Sequence, residues 1–241
     1  MDQRYELCRA EPCLWPDDHS LNPQKTALVI IDMQRDFCEE GGYLSQQGYD
    51  IGPLRAIIPN IQRLLQLCRE KGYQIYHTRE GHRPDLSDLS ERERQRSLRD
   101  LSVPGIGEPG PLGRLLVRGE PGHDTIPELY PRDGEPIIDK PGKGAFANTD
   151  FDLLLRIRGI QNLILCGVTT DVCVHTTMRE ANDRGYDCLL VSDACAASSR
   201  NLHDLTIMST KAEGGVFGAV SYVENVIEGI ETGLYEENAE G

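Results

Sequence analysis

Leu163-Ile164-Leu165-Cys166-Gly167-Val168-Thr169-Thr170-Asp171-Val172-Cys173 is the stretch that decides the fold. A short apolar run rich in Leu and Ile reads as a strand buried on both faces, the habit of a parallel sheet covered by helices. It ends in a Gly-Val-Thr-Thr turn. A helical pattern runs on from about Val172 to Arg184 and is closed by Gly185, which puts Cys173 in the first helical turn. Unpaired N–H groups and the positive end of the helix dipole favour a thiolate there, and they can also hold a developing oxyanion.

Working outward, the same alternation recurs. Thr26–Asp32 predicts a buried strand, about 51–69 a helix ended by Gly72, and Gln74–His77 a second strand. Pro136–Lys140 predicts a third strand and Phe151–Arg156 a helix. Asp187–Ser192 predicts another strand, Asn201–Ala212 a helix, and a final strand–helix pair completes the chain. Strands alternating with helices predict an α/β fold, a Rossmann-like three-layer αβα sandwich around a mainly parallel sheet. The 241 residues suit one domain. An arm (1–23) precedes it. An insertion (78–125), rich in Arg, Asp, Gly and Pro, breaks the pattern and is expected to lie over the carboxyl ends of the strands.

Composition narrows the function. A formal net charge of −14 argues against nucleic acid and anionic membranes as partners. No apolar run approaches the length of a membrane span, and the first residues carry no signal-like segment, so a cytoplasmic protein is expected. The eight cysteines are expected to be reduced thiols, and without a CxxC pair a structural zinc site is not expected.

Asp32, Lys140 and Cys173 each fall at the carboxyl end of a predicted strand, where open α/β sheets bind ligands. Singly they read as a turn former, a surface lysine and an inert thiol. Together they supply a base, a cation and a nucleophile at one sheet edge. Asp32 would take the thiol proton and return it to a leaving amine, Lys140 would steady the charges, and an acyl-enzyme thioester would be cleared by water. No glycine-rich phosphate loop follows the first strand, so a nucleotide-binding reading fails.

Three ordered segments carry a family resemblance: Val29–Phe37, Lys140–Phe146 and Gly167–Val174. The chain resembles the isochorismatase-like cysteine hydrolases from about residue 24 onward. The resemblance implies an Asp32–Lys140–Cys173 triad, a cis peptide between Val168 and Thr169 that turns the Thr169 N–H toward the oxyanion, and homo-oligomers, often tetramers. Isochorismatases of that superfamily lack the cysteine, so Cys173 points to amide C–N cleavage. The metal-binding Asp-x-His of nicotinamidases is missing from His77–Asp85, so neither metal nor other cofactor is expected.

Further stretches, His77–Asp85, Arg118–Gly122, Asp139–Gly144 and Gly214–Gly218, are similar to the biuret hydrolase group. That likeness implies a small ureido substrate, with Lys143 donating to a second carbonyl, Phe37 and Phe146 as apolar walls, Glu80 at the substrate and His82 at the mouth. Glu213 stands where that group has Gln. An ionised Glu only accepts hydrogen bonds, which points toward a longer substrate such as triuret. Ureidoacrylate or carbamoyl-amine hydrolysis is the second enzymatic expectation, and a non-catalytic binding protein the reading from another class.

Overall fold

The computed structural model describes residues 7–100 and 102–232. Six strands form its sheet: β1 (Thr26–Ile31), β2 (Gln74–Glu80), β3 (Ile137–Lys140), β4 (Asn162–Val168), β5 (Asp187–Ala196) and β6 (Ala219–Ser221). The helices flanking them are α1 (Ile58–Lys71), α2 (Glu91–Ser97), α3 (Phe151–Ile157), α4 (His175–Asn182), α5 (Arg200–Lys211) and α6 (Val223–Thr232). All pairings are parallel, in the order β3-β2-β1-β4-β5-β6. This is a doubly wound sheet whose order reverses between β1 and β4.

Crossovers between parallel strands are right-handed. The chain winds one way from β1 to β2 and the other way from β3 through β6. Helix α1 therefore covers one face, where it packs on α6, while α3, α4 and α5 cover the other. β1 and β4 are buried along their whole length, which accounts for their unbroken apolar sequence. Among the described residues no helix is long and apolar enough to cross a membrane.

Several boundaries differ from the sequence reading. The helix expected over 51–69 is two pieces, Gly52–Ala56 and Ile58–Lys71. Pro59 supplies no N–H and crowds the preceding turn, so it starts a new helix rather than continuing the old one. β2 runs on to Glu80 and β5 to Ala196, past the apolar residues that marked them. The insertion holds α2, a hairpin of two-residue strands, Pro109–Gly110 with Gly113–Arg114, and a short 3₁₀ turn at Pro121–His123, and a second such turn, Pro127–Leu129, follows it. The described part of the arm caps the sheet edge. Glu11 exchanges backbone hydrogen bonds with Val220 of β6, and buried Trp15 donates to Asp187 at 2.8 Å. All eight cysteines are free.

Candidate active site

At the switch point between β1 and β4 the two backbones approach closely at Gly167. Gly167 has φ +113°, and a Cβ on it would strike the backbone of Ile31. Only glycine allows that approach. Beyond it the chain passes through the cis Val168–Thr169 peptide into one π-helical turn, Thr170–Val174, that continues as α4. Cys173 lies in that turn, 4% exposed. On the neighbouring strand Asp32 follows β1 directly with φ +50°, a left-handed conformation that Asp tolerates better than most residues.

Lys140, the last residue of β3, brings the third group in. It is wholly buried, as is Asp32. Its Nζ lies 2.8 Å from Asp32 Oδ2, 3.4 Å from Glu80 Oε2 and 2.9 Å from the carbonyl of Gly142. Thr78 Oγ1 donates to Asp32 Oδ1 at 2.6 Å, and the Asp32 N–H is anchored on Thr78. Asp32 Oδ2 faces the ammonium and meets no other donor among the described residues.

Glu80 is the centre of the arrangement, a place the sequence did not give it. The Cys173 thiol donates to Glu80 Oε2 at 3.1 Å, and Lys143 Nζ donates to Oε1 at 2.6 Å. Lys143 also reaches Glu93 of α2 at 3.0 Å. Gln34 fixes the backbone of Glu80. Its Oε1 accepts from the Glu80 N–H at 2.7 Å, and its Nε2 donates to the carbonyls of Glu80 and His123 at 2.9 and 3.0 Å. Gln34, Thr78 and Gly142 had no assigned role in the sequence reading. Gln34 and Thr78 act by hydrogen bonding to residues 46 positions away, which spacing alone does not reveal, whereas Gly142 lends its carbonyl to Lys140 two residues before it.

The electrostatics follow from burial and two cations. Burial pushes Glu80 up, but the Lys140 and Lys143 ammoniums together outweigh it and hold the carboxyl down at about 2. Asp32 has one cation and a carboxylate neighbour. Burial and Glu80 prevail over Lys140, so it stays above its ordinary value and is the more basic of the two. Burial disfavours the Lys140 ammonium, but Asp32, Cys173 and Glu80 overcome this and keep it charged. Burial also pushes the Cys173 thiol well up, Lys140 opposes it, and Glu80 and Asp32 add to it. The helix-turn argument for a ready thiolate is therefore corrected: desolvation and two carboxylates outweigh Lys140 and favour the Cys173 thiol, which then needs a base.

Asp32, Glu80 and Cys173 present donor atoms within 4.8 Å of one another, the kind of set that can hold a metal ion. The Lys140 ammonium already stands against both carboxylates, and a metal would have to displace it.

The other expected site residues divide. Lys143 joins the site through Glu80, and Phe37 is buried on the turn just after β1. His82 is fully buried within the insertion, 3.3 Å from Asp88, rather than at a mouth. Phe146 is not a wall of the site. Its ring packs on Phe151 and Tyr186, with the Arg184 guanidinium 4.9 Å above it, because the chain has already turned from β3 toward α3. Glu213 is exposed on the turn leading into β6. That turn enters the amino end of its strand, where Gly218 abuts the Cys188 carbonyl, whereas the triad occupies the carboxyl ends. Glu213 shares no hydrogen bond or ion pair with the triad among the described residues.

Residues 26–221 match the isochorismatase domain model. The chain belongs to the isochorismatase family. It is 31% identical over 180 residues, 74% of this chain and 72% of the relative, to the ureidoacrylate amidohydrolase RutB of Pantoea ananatis. It is 29% identical to the RutB of Acinetobacter baylyi over 218 residues, 88% of this chain and 86% of that one. Among solved structures, a cysteine hydrolase from Pseudomonas syringae pv. phaseolicola superposes with a TM-score of 0.76 at 29% identity, covering 97% of this chain and all of the other.

Proposed function

We propose that the protein is a cysteine amidohydrolase that cleaves a terminal C–N amide bond of a small linear ureido compound, with biuret as the first candidate. The observation that carries this reading is the convergence of a buried thiol, a basic carboxylate and a charged lysine. The Cys173 proton passes to Asp32 as Sγ attacks the carbonyl carbon. The C–N bond breaks, Asp32 returns the proton to the nitrogen, and ammonia leaves. Asp32 then takes a proton from water, which opens the thioester. The released sulfur recovers the proton. Lys140 stays charged throughout and steadies whichever of Asp32 or Sγ is anionic. From biuret the products are allophanate and ammonia.

Triuret was expected to be favoured by Glu213. Glu213 lies exposed on the turn before β6, and triuret stays the alternative ureido substrate. A ureido acid such as ureidoacrylate is the second reading. The RutB relatives carry that substrate in their names. A cavity of about 320 Å³ beside the site is lined by Lys143, Arg96 and Arg99 together with Glu93 and Asp100, so its cations are partly balanced by carboxylates. Ammonia release from biuret, triuret, ureidoacrylate and nicotinamide, measured side by side, tests the assignment. Biuret turnover above the rest supports the first reading, and ureidoacrylate above biuret supports the second.

Self-association is part of the proposal. Leu202, Leu205 and Met208 form an exposed stripe on α5, with Val172 exposed on the nucleophile's turn. A monomeric mass by light scattering contradicts it.

A further inference from the structure

We propose that Glu80 holds the Cys173 thiol and releases it to Asp32 when the N–H groups of a bound ureido substrate take over the Glu80 carboxylate. This rests on the amidohydrolase reading above and adds to it a group that couples substrate recognition to activation of the nucleophile.

Geometry carries the argument. The thiol has one proton, and it points at Glu80 Oε2, 3.1 Å away. While it does so, it is not shared with Asp32, the carboxylate able to remove it. Glu80 is pinned in place. Gln34 holds its backbone, Lys143 one oxygen and Lys140 the other. A carboxylate accepts about four hydrogen bonds in its plane. The urea edge presents two N–H groups in one plane, the pairing geometry that makes guanidinium–carboxylate contacts bidentate. A ureido group seated on Glu80 replaces the thiol as donor. Lys143 remains beside it to donate to a carbonyl.

The proton balance is simple. The S–H bond breaks, the proton moves to Asp32 Oδ2, the sulfur electron pair forms the C–S bond, and the C=O π pair moves onto the carbonyl oxygen until the C–N bond breaks. Glu80 stays ionised before and after, because two ammoniums face it, and no further reactant is required. The charged groups acting on the thiol are Asp32 after β1, Glu80 on β2 and Lys140 on β3, with Lys143 and Glu93 of α2 behind Glu80, while α4 and α5, which pack on the thiol's turn, bring His175 and His203.

The test follows alkylation of Cys173 by iodoacetamide, itself a small primary amide, across pH in the full-length protein. Peptide mass spectrometry separates Cys173 from exposed Cys13, which serves as an internal control. Glu80→Gln removes a negative charge about 3 Å from the sulfur, so the midpoint of the Cys173 curve should fall by about one pH unit or more. KM for biuret should rise about tenfold or more in the same variant. A more reactive thiol in a worse enzyme is a combination that a merely structural residue does not produce. Lys143→Met, which strips a cation from Glu80, should move the midpoint upward, and it decides the matter if the Gln variant does not fold. An unchanged or raised midpoint in Glu80→Gln, or an unchanged or lowered one in Lys143→Met, overturns the hold on the thiol. If the wild type turns over no ureido compound, the amidohydrolase reading and the substrate half of this proposal fall together, while the alkylation shifts still decide the thiol half.

Discussion

Lys140 Nζ stands 2.8 Å from Asp32 Oδ2, and both side chains are wholly out of solvent. A buried ion pair of this kind is costly to break because the surviving charge has no water to turn to. Here the lysine also serves Glu80, so its removal strips Asp32 of its cation and leaves Glu80 with Lys143 alone. Lys140→Met should destabilise the protein by about 3–5 kcal/mol and abolish turnover. Chemical denaturation and ammonia release check the two effects separately, and a stable, inactive variant would show that the carboxylates protonate or find other partners.

Gln34 makes three hydrogen bonds without touching the reacting atoms. Gln34→Ala leaves the Glu80 N–H and carbonyl unpaired in a buried place, at a cost of roughly 1–3 kcal/mol for each group left unsatisfied. The variant should lose stability and activity together. Gln34→Glu keeps the acceptor for the Glu80 N–H but loses the amide donor, and should recover only part of both.

Thr78 donates to Asp32 Oδ1, and this bond favours the ionised form. Thr78→Val removes it at nearly constant volume, so Asp32 should become more basic. Since Asp32 must be ionised to accept the thiol proton, the acid limb of the kcat/KM profile should move to higher pH. A profile that scales down without moving would place the general base elsewhere.

Two buried histidines pull stability down in acid, against Asp36, which burial raises to about 6 and which acts the other way. Burial lowers both His123 and His175 to about 4, aided by Arg79 at His123 and by Arg179 at His175. Asp139 opposes the shift at His123. In the unfolded chain each histidine binds its proton near pH 6.5. Between about 6.5 and 4 the unfolded state therefore carries more protons, and stability falls as the pH falls through that window. Melting temperatures at pH 7.5, 6 and 5 should decrease in that order. Replacing His175 with Gln should flatten part of the slope.

The fold was legible because its strands are buried on both faces. Unbroken runs such as Ala27–Ile31 and Leu163–Cys166 have no other home in a chain of this length, and the residues just past them mark the carboxyl edge. Asp32, Lys140 and Cys173 stood out by that position alone. The acid centre of the site did not. Glu80 lies beyond the apolar part of β2, in a stretch that reads as the start of a polar loop, and its importance comes from partners 60 to 93 residues away. Phe146 shows the converse limit. It sits in a family motif close to Lys140, yet its direction is set by the aromatic residues Phe151 and Tyr186 after the chain has turned. The state of Cys173 also lay outside the sequence, because burial and two carboxylates compete there with one ammonium.

The central claim is that Cys173 attacks a ureido carbonyl and carries the acyl group. The most direct measurement is intact-protein mass spectrometry after rapid acid quench of wild type and Cys173→Ala with biuret and with ureidoacrylate, alongside ammonia release. The account predicts ammonia from the wild type with at least one of the two, a transient mass increase located at Cys173, and neither signal from the alanine variant. Ammonia release by Cys173→Ala at the wild-type rate would contradict it.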